Sequence, residues 1–282
     1  MVDVSSITYG PRRATLTTDD GVRIEARYEP YAPLVADDAH GPDGASVPDS
    51  APTAIVVAHG FTGSADRPAV RRVAAALARR AAVVTFSFRG HGRSTGRSTV
   101  GDREVLDLAA AVRWARRIGH ERVVTVGFSM GGSVVLRHAA LYPEGAQGRT
   151  EAHTDAVAAV SAPARWYYRG TPSMRRVHWV ITRPVGRLVG RYGLRTRIHH
   201  EDWDPVPLSP VEAVPLIAPT PLLIVHGDRD PYFPVDHPRM LVAAAEAAGA
   251  PAELWLERGM GHAENAVGGE LLDRLGDWLL RA

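Results

Sequence analysis

The run Val123-Val124-Thr125-Val126-Gly127-Phe128-Ser129-Met130-Gly131-Gly132-Ser133-Val134-Val135-Leu136 constrains the fold more than any other stretch. A β-branched apolar segment, a Gly-x-Ser-x-Gly pentapeptide and a second apolar segment read as strand, sharp turn and helix, with Ser129 at the apex. Gly127 and Gly131 suit such a turn, which strains its tip residue and brings neighbouring backbone too close for a Cβ. The pentapeptide alone is weak evidence: at ordinary Gly and Ser usage, a chain this long meets one by chance roughly one time in ten. A serine is also a poor nucleophile until a base takes its proton. The reading therefore depends on a base, an orienting acid and oxyanion donors elsewhere in the chain.

The surrounding pattern is that of an α/β protein. Ala14 to Asp19 and Val22 to Tyr28 alternate apolar and polar residues around Asp20-Gly21, which predicts a hairpin. Residues 30–52 turn to Pro, Asp, Gly, Ala and Ser without periodicity and read as a mobile surface excursion. Ala54 to Ala58 is a short apolar run of the kind buried on both faces of a parallel sheet, followed at once by His59-Gly60-Phe61-Thr62-Gly63. Ala69 to Arg80 has helical spacing, Ala82 to Phe88 reads as the next buried strand, and Asp102 to Ile118 as an amphipathic helix. Between the last two lies Arg89-Gly90-His91-Gly92-Arg93-Ser94, a glycine-dependent turn in which His91 reads as a packing residue rather than a base. Ala156 to Ser161 is a further buried strand. This alternation predicts a mostly parallel sheet of about eight strands with helices on both faces.

The character changes after Pro163. Residues 163–210 are aromatic and Arg-rich and read as a mostly helical cap inserted between core segments 1–162 and 211–282. The spacing of about four from Arg183 to Arg195 puts these charges down one helical face, although Pro184 would interrupt it. A solvated face is the favoured reading; receipt of an anionic substrate or contact with an acidic membrane surface is the alternative. His199-His200-Glu201-Asp202 has metal-ligand residue types side by side, but no ligand spacing that converges on an ion, and reads as a polar loop.

The core pattern then resumes. Pro221 to Val225 is a buried strand ending in His226-Gly227-Asp228-Arg229-Asp230, Pro238 to Ala248 is helical, and Ala252 to Leu256 is a last strand. A Gly-flanked loop carrying His262 leads into a C-terminal helix. Strand C-termini share one edge of a parallel sheet, so Ser129, an Asp and His262 can meet there. His262 would take the Ser129 proton, Asp230 would hold the imidazole tautomer, and the backbone N–H groups of Phe61 and Met130 would receive the oxyanion.

On these motifs the chain resembles an α/β-hydrolase of the esterase, lipase and serine-aminopeptidase type, from about residue 54 to the C-terminus apart from the cap. The resemblance implies Ser129 as nucleophile, His262 as base, Phe61 and Met130 as oxyanion positions, and residues 89–94 as a structural turn. It also favours Asp230 over Asp228 as the acid, leaving Asp228 to bond the turn. The expected activity is hydrolysis of carboxylic esters with short to medium acyl chains through an acyl-enzyme. Peptidase, acyltransferase, thioesterase and carbon–carbon bond hydrolase use the same triad, and a binding protein with an unused triad is a more distant alternative. Serine rather than Asp at the apex argues against epoxide and haloalkane hydrolysis.

Composition removes other classes. The chain has no Cys and, among its 33 basic residues, no Lys, which excludes disulfides, thiolate chemistry and Schiff-base or pyridoxal-lysine chemistry. No cofactor and no metal are expected, and a small-molecule ester is the expected partner. A net charge of +2 does not suggest nucleic acid. No apolar run approaches a membrane span and residues 1–6 lack signal-peptide character, so no stable membrane insertion and a cytoplasmic location are expected.

Overall fold

A computed structural model describes residues 10–33, 53–145, 150–250 and 252–282. The excursion read over 30–52 lies, from residue 34 on, outside the described residues, as do residues 1–6. The chain opens with β1 (Arg12–Thr17) and β2 (Arg23–Glu29), paired antiparallel from Arg12 opposite Tyr28 to Thr17 opposite Arg23. Their turn closes where the Thr18 N–H donates to the Val22 carbonyl at 2.9 Å. Period-two alternation points Ile24, Ala26 and Tyr28 of β2 into the core.

Strand and helix then alternate: β3 (Thr53–Ala58), α1 (Pro68–Leu77), β4 (Ala82–Phe86), α2 (Glu104–Arg117), β5 (Arg122–Phe128), α3 (Met130–Leu141) and β6 (Val157–Val160). After an insertion come β7 (Leu222–Gly227), the helix Asp236–Ala247 and β8 (Ala252–Glu257). The eight strands form one sheet in the order β1-β2-β4-β3-β5-β6-β7-β8, parallel from β4 to β8, with β2 antiparallel to β4. Every residue of β3, β4, β6 and β7 is buried, as largely apolar runs covered on both faces should be.

Alternate residues of the parallel strands feed two cores. Val56 and Ile224 join Leu108, Val112, Leu136 and Leu241 on one face, and Ile55, Val57 and Val126 join Val73, Leu77 and Leu275 on the other. Arg89 ties the first face together. Its buried guanidinium donates to Asp107 of α2 at 2.8 and 3.0 Å and to Asp20 of the hairpin turn at 2.7 and 3.0 Å.

The insertion between β6 and β7 contains α4 (Pro172–Thr182), α5 (Pro184–Tyr192) and α6 (Pro210–Ala213); the helices that follow are α7 (Asp236–Ala247), α8 (Ala263–Ala266) and α9 (Gly269–Arg281). The Arg183 to Arg195 spacing does not follow one helical face. Arg183 is extended (φ −95°, ψ 139°) between α4 and α5, because the proline after it disfavours the helical conformation there. Arg195, at φ 57°, lies beyond the end of α5. The insertion is tied to the core by Thr171 Oγ1–H to the Tyr232 carbonyl (2.9 Å) and Trp203 Nε1–H to the Thr99 carbonyl (2.7 Å), and by the segment after α5, where the Arg197 N–H donates to the Gly90 carbonyl (2.8 Å) and the Ser98 N–H to the Arg197 carbonyl (2.7 Å).

Candidate active site

The turn between β5 and α3 has no room for a side chain at Gly127 or Gly131, two residues either side of Ser129. A Cβ on Gly127 would lie 2.1 Å from the Gly131 carbonyl oxygen, and one on Gly131 2.2 Å from the Ala58 carbonyl oxygen. The backbone is thereby forced to put Ser129 at φ 53°, ψ −113°, a conformation that costs a non-glycine residue on the order of 1–3 kcal/mol. The Ser129 N–H donates to the Val160 carbonyl at 2.8 Å, which pins the tip to the neighbouring strand.

The other candidates arrive from the ends of different strands. The Ser129 hydroxyl donates to His262 Nε2 at 2.8 Å, and His262 Nδ1–H donates to Asp230 Oδ2 at 2.6 Å. The second oxygen of Asp230, Oδ1, accepts the N–H groups of Tyr232 (2.8 Å) and Phe233 (3.1 Å). Burial opposes ionisation of Asp230, but the bond from His262 and these two N–H donors hold its carboxyl below the usual range. Asp228 is turned away, accepting the Gly259 N–H at 2.6 Å and so bonding the turn. The Tyr232 ring lies 4.3 Å from the imidazole of His262, centroid to centroid, and restricts its rotation.

Phe61 and Met130 line the same cavity as Ser129. In the loop after β3, the Gly60 N–H donates to Glu264 Oε1 (3.0 Å), that of Thr62 to His91 Nε2 (3.4 Å) and that of Gly63 to the Gly60 carbonyl (2.9 Å). The Phe61 N–H, between them, has no hydrogen-bond partner among the described residues. Met130 is the first residue of α3, where helical geometry leaves the N–H without an acceptor.

Two histidines stiffen this loop. His59 donates from Nδ1 to the Gly60 carbonyl (2.7 Å) and accepts the Phe88 N–H at Nε2 (3.0 Å); burial and the neighbouring His91 push its pKa down to about 3. His91 donates from Nδ1 to the Arg89 carbonyl at 3.0 Å, and burial lowers its pKa too. With both ring nitrogens engaged, His91 is a packing residue.

Two polar residues at the site are not singled out by any motif. Glu264 is buried two residues after His262 and bonds the loop that carries Phe61. Burial pushes its carboxyl above the usual range, against the pull of its own N–H, the Gly60 N–H and His262. Ser161, at the end of β6, accepts the Ala263 N–H at 3.1 Å and so anchors the residue after His262. Thr62, Ser129, Ser161 and Ala263 all adopt positive φ, at 68°, 53°, 52° and 53°, so backbone strain gathers around this one edge of the sheet.

Ser129 and His262 face a cavity of about 880 Å³ whose walls include Trp166, Tyr168, Val180, Ile181 and Phe233. His199 and His200 stack on each other with ring centroids 5.1 Å apart. No group of three or more His, Asp or Glu among the described residues is placed to hold a metal ion.

Comparison with known proteins identifies the family and fold. The sequence model of the alpha/beta hydrolase fold matches residues 53–150, which carry Phe61, Ser129 and Met130. That of the prolyl oligopeptidase family matches residues 191–282, which carry Asp230 and His262. A monoacylglycerol lipase of Mycolicibacterium smegmatis is 30% identical over 226 residues, covering 69% of this chain and 76% of the relative. The chain belongs to the α/β-hydrolase superfamily. A second relative of this hydrolase, the esterase LipC of Mycobacterium tuberculosis, is 30% identical over 188 residues, covering 61% of the chain but only 42% of its own length. A Pyrococcus furiosus esterase superposes with a TM-score of 0.69 at 21% identity, covering 100% of the hydrolase and 96% of that chain. A lidless serine hydrolase of Xanthomonas campestris superposes at 0.56 with 20% identity, over 95% and 91%. Neither family model reaches α4 or most of α5.

Proposed function

We propose that this hydrolase cleaves carboxylic esters of short to medium acyl chain through an acyl-enzyme, with Ser129 as nucleophile, His262 as base and Asp230 as orienting acid. Ser129 Oγ attacks the ester carbonyl as His262 Nε2 takes its proton; the Asp230 carboxylate, bonded to Nδ1–H, stabilises the imidazolium. The N–H groups of Phe61 and Met130 donate to the oxyanion. Collapse expels the alcohol, which takes the proton back from Nε2. Water, deprotonated by the same nitrogen, then releases the acid and restores the serine.

The unbroken chain from Ser129 Oγ through both nitrogens of His262 to a buried Asp230, at 2.8 and 2.6 Å, carries the proposal. Supporting it are the esterase and lipase relatives and a cavity with aromatic and aliphatic walls, suited to an apolar acyl or alcohol group. Residues 163–210 act as a cap over this cavity, since α4 contributes Val180 and Ile181 to its wall. The match of residues 191–282 to the prolyl oligopeptidase family favours a peptidase as the second reading.

A panel of p-nitrophenyl esters and aminoacyl amides of graded length tests both. Turnover of esters with an optimum at short to medium acyl length is expected. Preference for amides would move the assignment to a peptidase. Failure of a fluorophosphonate to label Ser129 would remove the nucleophile altogether.

A further inference from the structure

Helix α5 is built with its small residues inward and its large ones outward. A Cβ on Gly186 would lie 2.3 Å from the Trp179 carbonyl oxygen, and one on Gly190 3.0 Å from Ile198 Cδ1, so the two glycines let α5 lie close on α4 and the segment after it. Val185, Leu188, Val189 and Tyr192 are 61, 55, 44 and 73% exposed. Their spacing of i, i+3, i+4 and i+7 makes one continuous apolar stripe. A globular helix ordinarily turns such a stripe to the core; here it faces solvent.

The charges beside the stripe indicate what covers it. Residues 162–200 hold nine Arg and neither Asp nor Glu, in a chain whose net charge is only +2. Of these nine, Arg165 pairs with Asp236 at 3.9 Å and Arg187 donates to the Ile181 and Thr182 carbonyls at the end of α4, whereas among the described residues Arg183 and Arg191 beside and on α5 have no carboxylate partner. A groove of about 270 Å³ along α5 is lined by Arg97, Arg187, Arg191, Arg197 and His200 together with Leu188. The first carboxylates beyond it are Glu201 and Asp202; Glu201 lies 3.8 Å from His200 and 4.0 Å from His199. A second copy of the chain on this face would bring Arg against Arg, which opposes self-association through it.

We propose that the outer face of α5 docks on an anionic lipid surface. The apolar stripe enters the boundary between headgroups and acyl chains while Arg183 and Arg191 reach the headgroup phosphates. Contact is peripheral, since no helix among the described residues is long and apolar enough to cross a membrane. Beneath α5, α4 forms a wall of the Ser129 cavity, so docking brings the cavity to the source of apolar esters. That last consequence rests on the ester-hydrolase reading; the docking does not.

The test is co-sedimentation of full-length Ser129→Ala protein, which leaves lipid intact, with vesicles of phosphatidylcholine alone or mixed with phosphatidylglycerol. Binding to the mixed vesicles on the order of tenfold tighter, weakened by salt, is expected. Leu188→Ser with Val189→Ser, which removes the apolar surface without changing charge, should lower that binding by about tenfold and Arg183→Gln with Arg191→Gln by several-fold. In the Ser129 background, both pairs should keep soluble-ester turnover within about twofold of the parent, as expected for exposed residues outside the cavity. No binding, equal binding to the two vesicle types, or binding unmoved by the Ser pair would overturn the proposal; the last would indicate charge attraction alone, as an acidic protein would provide. Failure of the ester reading appears separately, as absence of soluble-ester turnover in the unsubstituted protein with vesicle binding retained.

Discussion

The edge of the sheet that carries Ser129 and the α4–α5 segment above it follow opposite packing rules. At the edge, each candidate side chain is held by backbone: Ser129 through the Val160 carbonyl, Asp230 through two N–H groups, and His262 beside an Ala263 anchored on Ser161. In the segment, no residue of α4 is buried and α5 buries only Gly186 and Gly190. A reacting constellation needs its atoms fixed to a fraction of an ångström, which only close-packed backbone provides. A surface that meets a soft, extended partner needs matching polarity and charge, and can be held loosely.

Substitutions should sort by this contrast. Ser129→Ala or His262→Ala should lower kcat for an activated ester by on the order of 10³ to 10⁶ with the fold intact by circular dichroism, since these residues act as a unit. Near-normal turnover in either would erase the contrast. Asp230→Asn should cost on the order of 10³ to 10⁴, whereas Asp228→Asn, which keeps an acceptor oxygen for its one exposed turn bond, should stay within a few-fold; the reverse ranking would exchange their roles.

Glu264 lies between these extremes. Glu264→Ala frees the Gly60 N–H and should lower kcat by roughly tenfold with KM little changed, because it loosens the loop that presents the Phe61 N–H. Glu264→Gln keeps an acceptor oxygen and should recover most of that loss. The carboxyl also predicts a pH effect. Its pKa is raised in the fold, so the native state binds the proton more tightly than the unfolded chain, and stability falls as pH rises from the ordinary 4.5 through the raised value. Thermal melts across that range should flatten in Glu264→Gln. The smallest effect belongs to α5: Val185→Ser should change stability by no more than about 0.5 kcal/mol by urea titration, since the side chain is already exposed.

The elbow was readable in the chain because its causes are local. Gly127, Ser129 and Gly131 lie within five residues, and the clashes that exclude a Cβ there arise mostly from the turn and the adjoining strand end. The hairpin around Asp20-Gly21 and the buried strands were readable for a similar reason, since period-two alternation and unbroken apolar runs are short-range patterns. The placement of Asp230 needed more than pattern. Asp228 and Asp230 are both acidic residues at one strand end, and the difference between them is which one faces His262 Nδ1. The Arg spacing after Pro163 suggested one helical face, but the conformational restriction that Pro184 places on Arg183 divides it.

Composition and local order thus dictated the alternation of strand and helix, the serine at a strained tip, and a chemistry without thiol or lysine. Three-dimensional packing alone assigned Glu264 to the loop of Phe61 across 204 residues, Ser161 to the support of His262, and the large side chains of α5 to the outside. The physical reason is range. Propensity and periodicity act over a few residues, whereas a hydrogen bond between distant loops, or the choice of which helix face meets a neighbour, exists only once the sheet has brought those segments together.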